Sequence, residues 1–463
     1  NFLSRGRQLT PRDSSFFLTE ARRHGGDGIS NWSYKVIYRL RRNCVKPTLA
    51  HKNFAEQAHP SKQQPYKFSE FSVLSVDKKN MNSDITRKRL AILGSTGSVG
   101  TQALKVAKHL RESIQVIGLC AGTQTELLAK QLDETDAEWA LSQDNQALQQ
   151  IAPAKTKILR DQAELCEVLA GSDVDIVLCA ISGTAGLQPV LSAIRAGKTI
   201  ALASKEILVM AGALVMQEAA KSGSRILPVD SEHCAIFQCL ENQVPNSMKR
   251  LLLTASGGPF HARPEIDLRE VTVEQALRHP TWNMGRKITL DSATLMNKGL
   301  EIIEAAWLFN AKPEQIEVVI HPQSIVHSMV EFLDSSILAQ LSCPDMTLPI
   351  QFCLQYPKRQ PSLTPSLNFS AGIHLDFLPP DLQRFPAPAL ARQALIAGGA
   401  AGAIFNAANE IAVERFCRQE IRFDQISILV AETLNHFPKT SAETLPDILQ
   451  ADQEARRYAR QWR

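Results

Sequence analysis

A glycine-rich turn between a predicted strand and a predicted helix is the feature that most limits what this chain can fold into. Residues 89–93 form a short apolar run typical of a strand, and the apolar spacing of residues 103–110 predicts a helix. Between them, Gly94 permits a tight turn, Gly97 lets backbone N–H groups approach a pyrophosphate, and Gly100 allows close helix packing. The spacing predicts a dinucleotide-binding turn, although glycine-rich turns also occur without a nucleotide.

The alternation of strands and helices continues after this turn. Further strands are predicted at residues 114–120, 174–179, 199–203 and 225–229, with helices at residues 185–196 and 207–221. Alternating units of this kind predict a doubly wound, Rossmann-like α/β domain with a parallel sheet.

The nucleotide preference depends on the residues after the second strand. An NAD site usually has an acidic residue here, but this chain has Gly122, Thr123 and Gln124, and Glu126 lies further along, in the next helix. The absence of the acidic residue favours NADP, although no basic residue for a 2′-phosphate is evident.

Two carboxylates follow the last predicted strand of this series. In an extended backbone, residues i and i+2 point to the same side, so we expect Asp230 and Glu232 to converge. Two hard oxygen ligands suit Mg²⁺ or Mn²⁺. Lys205 and Glu206 follow the preceding strand, and ligands bind where parallel strands end, so all four can face one molecule. Alone, an Asp-x-Glu is typical of a solvated strand end.

The middle of the chain offers phosphate donors and a candidate lid. Ser256 lies in a turn after the predicted strand 251–255, where it can offer a hydroxyl to a phosphate. Residues 276–287, which include His279 and Trp282, are predicted to form a mobile lid over a substrate. A surface loop anchored by the tryptophan fits the same composition equally well.

A polar segment follows this candidate lid. Asp291 is predicted to cap a helix. Lys298 and Glu301 are three residues apart and share a helix face. Together with Asp230 and Glu232, Glu301 would complete a metal site, while donors for a phosphate are Ser256, Ser292, Asn297 and Lys298. A plain salt-bridged helix would carry the same residues.

The remaining segments set the predicted domain order. Strands at residues 316–320, 324–332 and 336–342 suggest an α+β catalytic and dimerisation domain, in which His321 and His327 are expected to be structural. A small helical bundle is predicted near the end, with helices at 389–396, 401–416 and 423–437. The division is a basic extension (1–80), a nucleotide domain (81–230), a catalytic domain (231–355), a linker (356–380) and a helical domain (381–463).

Composition excludes several function classes. Residues 1–80 hold 15 Lys and Arg against 6 Asp and Glu, a net charge of +9, whereas the rest holds 36 against 41, a net of −5. An acidic body argues against a nucleic-acid binder, and no apolar run is long enough to span a membrane. Nine scattered cysteines favour a reducing compartment. Residues 1–80 are either a transit segment, which would imply a plastid, or a non-native extension, which would imply bacterial cytoplasm.

Taken together, these motifs resemble the 1-deoxy-D-xylulose 5-phosphate reductoisomerase family over roughly residues 88–440. The resemblance rests on several strings in this order: Gly-Ser-Thr-Gly-Ser-Val-Gly from 94, Ala-Ser-Lys-Glu from 203, Pro-Val-Asp-Ser-Glu-His from 228, Thr-Ala-Ser-Gly-Gly-Pro-Phe from 254, His-Pro-Thr-Trp-Asn-Met-Gly from 279, Asp-Ser-Ala-Thr-Leu-Met-Asn-Lys-Gly-Leu-Glu from 291 and His-Pro-Gln-Ser from 321.

The resemblance implies a role for each matching residue. The implied metal ligands, for Mn²⁺, Mg²⁺ or Co²⁺, are Asp230, Glu232 and Glu301. The implied NADPH contacts are Thr96, Gly97, Ser98, Val99, Gly122, Thr123, Gln124, Ser204, Glu206 and Gly285. The implied substrate contacts are Lys205, Ser231, Glu232, Ser256, His279, Trp282, Ser292, Asn297, Lys298 and Glu301. Catalysis is implied for the three metal carboxylates together with Lys205 and His279.

The implied activity converts 1-deoxy-D-xylulose 5-phosphate, a small phosphorylated sugar, to 2-C-methyl-D-erythritol 4-phosphate in non-mevalonate isoprenoid synthesis. The family rearranges the carbon skeleton with metal assistance, reduces the product with NADPH and works as a homodimer. Two positions depart from its pattern: Thr123-Gln124 replaces a frequent Lys-Asn, and Ser204 replaces a frequent Asn. The first departure makes the NADPH preference less secure.

Two other functions remain open on the sequence. Another NADP-dependent oxidoreductase, such as a semialdehyde or homoserine dehydrogenase, would have the same nucleotide domain but would not need the carboxylate triad. A catalytically silent nucleotide sensor or scaffold would be favoured by losses at Asp230, Glu232, Glu301 or Lys298, all of which are present.

Overall fold

The computed structural model describes residues 87–279, 285–438 and 440–463. By their internal contacts, the described residues belong to one compact unit. The predicted basic extension lies outside the described residues, as does Trp282. Within the described residues, no helix has both the length and the apolar character needed to cross a membrane.

The predicted doubly wound sheet is present. Seven parallel strands lie in the spatial order β4-β3-β2-β1-β5-β6-β7. They are β1 (Lys88–Leu93), β2 (Ile114–Cys120), β3 (Trp139–Leu141), β4 (Lys157–Ile158), β5 (Ile176–Cys179), β6 (Thr199–Leu202) and β7 (Ile226–Pro228). The accompanying helices are α1 (Ser98–His109), α2 (Thr125–Thr135), α3 (Asn145–Ile151), α4 (Gln162–Ala170), α5 (Leu187–Arg195) and α6 (Glu206–Ser222).

Both faces of this sheet are buried. Along β1, Leu90 and Ile92 belong to one apolar cluster, while Ala91 and Leu93 belong to another. A strand whose alternate side chains enter two different cores must be covered by helices on both sides. The strand order reverses between β1 and β5, and this switch point is where doubly wound sheets bind ligands.

The glycine-rich turn lies at this switch point, and its geometry agrees with two of the predicted glycine roles. Gly94 has a φ of +89°, and an added Cβ would lie 2.5 Å from the Ala180 carbonyl oxygen. A Cβ on Gly100 would lie 2.1 Å from the Gly94 carbonyl oxygen, so the helix approaches the turn closely. Gly97 is the N-cap of α1 and supplies no side chain, so the first-turn N–H groups have no side-chain cap.

A second sheet follows the first. Its four strands lie in the order β11-β10-β8-β9, with β8 and β9 parallel and the other pairs antiparallel. They are β8 (Met248–Ala255), β9 (Ile316–Ile320), β10 (Val326–Phe332) and β11 (Ile337–Leu341). The helices of this region are α7 (Ser231–Leu240), α8 (Val273–Ala276), α9 (Arg286–Ala293) and α10 (Met296–Phe309). This mixture of sheet and helices is the predicted α+β arrangement.

The last part of the chain is helical, as expected. After α11 (Thr347–Gln355), residues 356–380 contain one short 3₁₀ helix and an isolated bridge between Leu378 and Ile320. The later helices are α12 (Ala387–Ala397), α13 (Ala401–Cys417), α14 (Gln425–His436) and α15 (Leu445–Gln461). Helix α13 packs against α6, α14 and α15. The helical region therefore contacts the first sheet's layer of helices through α6.

Candidate active site

The two carboxylates after β7 converge, but not through an extended backbone. Asp230 is the N-cap residue of α7, and Glu232 lies in the first turn of that helix. The expectation that both side chains lie on one face of a strand was therefore wrong. They approach each other because the chain turns from β7 directly into a helix.

Glu301 completes the predicted set of carboxylates. It lies on α10 and is fully buried. Ligand oxygens from Asp230, Glu232 and Glu301 all lie within 4.8 Å of one another. Three converging carboxylate oxygens are the donor set that a hard divalent cation such as Mg²⁺ or Mn²⁺ prefers, so the residues present fit a metal.

Lys205 lies between two of these carboxylates. It follows β6, is 7% exposed, and forms ion pairs with Asp230 and Glu301, the latter at 3.0 Å. Its ammonium also donates to the Asn297 side-chain oxygen at 2.9 Å. Asn297 in turn donates to Glu301 at 2.5 Å.

Lys298 neutralises the opposite side of the cluster. Its ammonium lies 2.9 Å from Glu232, pairs with Glu301 and donates to the Thr254 carbonyl oxygen at 2.5 Å. The pairing of Lys298 with Glu301 confirms the prediction that residues three apart share one helix face. Two ammonium groups against three carboxylates leave the described cluster with one excess negative charge, which favours a cation.

Burial and charge act against each other in this cluster. Burial raises the pKa of Asp230, but Lys205 and His233 together outweigh it and hold that pKa well below its usual range. For Glu301, burial and repulsion from Glu232 raise the pKa despite the lysines. Burial lowers the pKa of Lys205, yet the carboxylates around it raise that pKa well above its ordinary value.

A buried histidine lies close to Asp230. The Nδ1 atom of His233 lies 3.2 Å from Glu304 and 3.8 Å from Asp230, and its Nε2 lies 2.9 Å from the Glu301 carbonyl oxygen. Burial opposes a charge on His233, but Glu304 and Asp230 outweigh it and raise the pKa of the imidazole to about 9. Glu304 was not predicted, because no motif connects it to His233.

The predicted phosphate donors meet beside the carboxylates. Ser256 follows β8, and Ser292 lies in the last turn of α9. Nε2 of His279 lies 2.9 Å from the Ser256 hydroxyl and 3.1 Å from the Ser292 hydroxyl. Burial lowers the pKa of His279, which favours the neutral imidazole. The prediction that Asp291 caps a helix was wrong, because Asp291 lies inside α9. The N-cap of α10 is Leu295, which has a φ of +57°.

One cavity of about 490 Å³ joins these groups to the nucleotide turn. From the turn and the start of α9 it is lined by Ser98, Val99 and Gly285. Its other predicted lining residues are Lys205, Asp230, Ser231, Glu232, Ser256, His279, Ser292, Asn297, Lys298 and Glu301. Ser231 donates to Glu232 at 2.5 Å. The predicted nucleotide-binding turn and the carboxylate cluster therefore line the same cavity.

Other predicted cofactor residues lie outside this lining. They are Thr96, Gly97, Gly122, Thr123, Gln124, Ser204 and Glu206. Gly122, Thr123 and Gln124 lie between β2 and α2, at the carboxyl edge of the sheet. Glu206 begins α6, and burial raises its pKa.

Several residues that line the cavity were not predicted from the sequence. His327, expected to be only structural, lines the cavity from β10, and Met346 lines it from the segment between β11 and α11. Cys343, Pro344 and Asp345 accompany Met346. Nothing in the local sequence indicated that this segment lines the same cavity as the carboxylates. His321 does have structural contacts: its Nε2 accepts from two backbone N–H groups.

Comparison with known proteins decides the family. A 1-deoxy-D-xylulose 5-phosphate reductoisomerase profile matches residues 90–212, and two C-terminal domain profiles of the same enzyme match residues 226–309 and 341–458. The reductoisomerase of Cellvibrio japonicus is 47% identical over 391 residues, covering 80% of this chain and 97% of the relative. The chain belongs to the 1-deoxy-D-xylulose 5-phosphate reductoisomerase family.

Solved structures of the family share this fold. The reductoisomerase from Zymomonas mobilis in complex with NADPH is 42% identical, with a TM-score of 0.75, and the match covers 81% of this chain and 98% of that one. A reductoisomerase in complex with NADPH, fosmidomycin and magnesium is 40% identical, with the same TM-score and coverage. The Rossmann-like and α+β regions expected from the sequence are thus those of the reductoisomerase family.

Proposed function

We propose that this chain catalyses the reaction of its family, the NADPH- and divalent-metal-dependent conversion of 1-deoxy-D-xylulose 5-phosphate to 2-C-methyl-D-erythritol 4-phosphate, in isoprenoid precursor synthesis. The observation that carries the proposal is the shared cavity. It is lined both by Ser98 and Val99 of the nucleotide turn and by the carboxylates of Asp230, Glu232 and Glu301. Neither rival function inferred from the sequence requires that combination.

In this proposal, Asp230, Glu232 and Glu301 hold Mg²⁺ or Mn²⁺. When bound, the cation supplies Lewis acidity to the substrate carbonyl and a neighbouring hydroxyl during the skeletal rearrangement. Lys205 and Lys298 orient the carboxylates and offset their negative charge, because each ammonium contacts two of them.

The substrate phosphate is assigned to the pocket beside the carboxylates. Ser256, Ser292 and Asn297 offer neutral donors there, and Lys298 adds a positive charge. His279 already spans the two serine hydroxyls and can donate to the same phosphate. Holding the phosphate orients the reacting end of the substrate, so remote binding energy contributes to catalysis. Trp282, in the candidate lid, is the aromatic residue that we propose to cover the substrate.

NADPH is assigned to the carboxyl edge of the first sheet and supplies the hydride when bound. The α1 N-terminus, at Thr96, Gly97, Ser98 and Val99, offers backbone donors for the pyrophosphate. Gly122, Thr123 and Gln124 are proposed on the adenosine side, with Ser204, Glu206 and Gly285 as further contacts. The neutral Thr123 and Gln124 leave the strength of the NADPH preference open to measurement.

The proposed reaction is tested by following NADPH oxidation with 1-deoxy-D-xylulose 5-phosphate as substrate. We expect oxidation with Mg²⁺ or Mn²⁺, its loss after EDTA treatment, and its return when the metal is restored. Fosmidomycin, which a related structure contains together with magnesium, should inhibit it. Oxidation that survives complete metal removal would instead favour an ordinary NADP-dependent dehydrogenase.

We also propose that the chain forms a homodimer through β11. This strand is at the edge of the second sheet and pairs with β10 alone among the described strands. Apolar side chains are exposed beside it, with Leu333 at 68%, Ile337 at 49% and Leu338 at 42%. An apolar edge strand is a ready template for pairing with a second copy.

Introducing a charge on this strand should weaken the dimer. We expect Ile337→Lys to lower the molar mass measured by light scattering from twice the chain mass toward the chain mass. Ile396→Lys is the control, because Ile396 is 77% exposed near the end of α12. A wild-type protein that is monomeric at every concentration tested would contradict the proposal.

The division at residues 80, 230, 355 and 380 is likewise kept as a proposal, with β7 and α7 meeting at the second boundary. Relatives from bacteria such as Cellvibrio japonicus support the bacterial cytoplasm as the proposed compartment. A plastid is the alternative if residues 1–80 act as a transit segment.

A further inference from the structure

A buried carboxylate outside the cavity lies directly beside a proposed phosphate donor. Asp291 is 1% exposed and is adjacent in α9 to Ser292. Successive helical residues point about 100° apart, so Asp291 and Ser292 lie on different faces of α9, and only Ser292 lines the cavity. Nothing in the proposed mechanism uses Asp291.

The carboxylate of Asp291 is held from two sides. One oxygen pairs with Lys287 at 2.7 Å, one turn earlier in α9. The other accepts a hydrogen bond from the side-chain amide of Asn409 at 2.9 Å. Asn409 is fully buried in α13, and α13 contributes no described residue to the cavity wall. A buried charge needs such partners, because an unsatisfied one is costly.

These contacts connect the C-terminal helices to the active site. Lys287 also lies 3.9 Å from Glu206, the first residue of α6 and the neighbour of Lys205. The carboxylates of Asp291 and Glu206 raise the pKa of Lys287 even though burial lowers it, so the lysine remains charged. Helices α13, α9 and α6 are thus joined by one polar chain.

Helix α9 is short, so its position depends on such contacts. It has eight residues and no side-chain N-cap. At one end, Gly285 and Ile288 line the cavity, and at the other Ser292 lies 3.1 Å from Nε2 of His279. A small rotation of α9 would move Ser292 away from both His279 and the phosphate.

We propose that Asn409 is a positioning residue for substrate binding, acting through Asp291 to fix α9 so that Ser292 meets the substrate phosphate. The inference rests on the proposed function and deepens it. It assigns to the C-terminal helical region a role in phosphate affinity, through a residue that touches neither substrate nor cofactor.

The test compares two buried asparagines in the same helix. Asn409→Ala removes the hydrogen bond to Asp291. Asn406→Ala is the matched control, because Asn406 is also fully buried but donates to Glu410 at 3.1 Å within α13. We expect Asn409→Ala to raise the KM for the sugar phosphate about tenfold, the effect of losing one hydrogen bond to a charged group. Its kcat and its Kd for NADPH should stay within about twofold, and Asn406→Ala should leave all three values unchanged within about twofold.

A binding measurement separates this inference from the proposed reaction. Calorimetric titration of the Mg²⁺-loaded protein with inorganic phosphate should show about tenfold weaker binding in Asn409→Ala and no change in Asn406→Ala. A wild type that fails to oxidise NADPH with this substrate would refute the reaction, whereas the phosphate titration would still test Asn409. Equal effects of the two substitutions on KM and on phosphate binding would overturn the positioning role. If Asn409→Ala does not fold, Asn409→Ser provides the same comparison.

Discussion

Replacing Glu232 by glutamine should lower turnover about 10³-fold while leaving the Kd for NADPH unchanged. The substitution keeps the shape of the side chain and removes one of three carboxylates whose oxygens lie within 4.8 Å of one another. A divalent cation loses a charged ligand, so the developing negative charge on the substrate is no longer stabilised. The nucleotide turn at α1 is unaffected, and NADPH fluorescence titration should show this.

The control for this prediction is a carboxylate far from the cavity. Glu314 is exposed in the short 3₁₀ helix before β9, and Glu314→Gln should retain wild-type turnover. Turnover by Glu232→Gln at the wild-type rate, measured by NADPH oxidation with saturating Mg²⁺, would remove Glu232 from the metal site.

Replacing Lys205 by methionine should destabilise the metal-free protein by about 3–5 kcal/mol, because it leaves buried carboxylates uncompensated. Lys205 is buried and pairs with both Asp230 and Glu301. Added Mg²⁺ or Mn²⁺ supplies the missing positive charge, so the metal should raise the Tm of the variant more than that of the wild type.

Lys221 provides the matched control. It lies near the end of α6, and its pair with Glu218 is at the surface, where the lysine side chain is 61% exposed. Lys221→Met should cost no more than about 1 kcal/mol, as exposed ion pairs do. Thermal melts of the wild type and both variants, each with and without metal, test this prediction. An equal metal-induced rise in Tm for wild type and Lys205→Met would show that the lysine and the cation do not share these carboxylates.

Local sequence patterns correctly predicted turns and strands, which depend on residues close together in the chain. Gly94 indicated a tight turn and Gly100 indicated close helix packing, and the structure has both. Alternating apolar runs predicted the parallel sheet, but β3 and β4, with three and two residues, were too short to produce a pattern. Helix α15 lies beyond residue 437, where the last predicted helix ends.

Features set by the fold were predicted less well. Asp230 and Glu232 were expected to converge along a strand, whereas a helix begins between them. Asp291 is a residue type that often caps helices, but α9 extends past it. The carboxylate of Asp291 instead accepts a hydrogen bond from Asn409, which is far along the chain. Glu301 was assigned to the metal site from its polar context and from the family resemblance, because no local spacing connects it to Asp230. Such contacts depend on how elements pack, which short motifs do not encode.

Direct Mn²⁺ binding tests whether Asp230, Glu232 and Glu301 form one divalent metal site. Electron paramagnetic resonance titration of the NADPH-bound protein with Mn²⁺ should show one bound ion per chain in the wild type. Glu301→Gln should weaken that binding by at least about tenfold, while Glu314→Gln should leave it unchanged. Wild-type Mn²⁺ affinity in Glu301→Gln, or no bound Mn²⁺ in the wild type, would contradict the account.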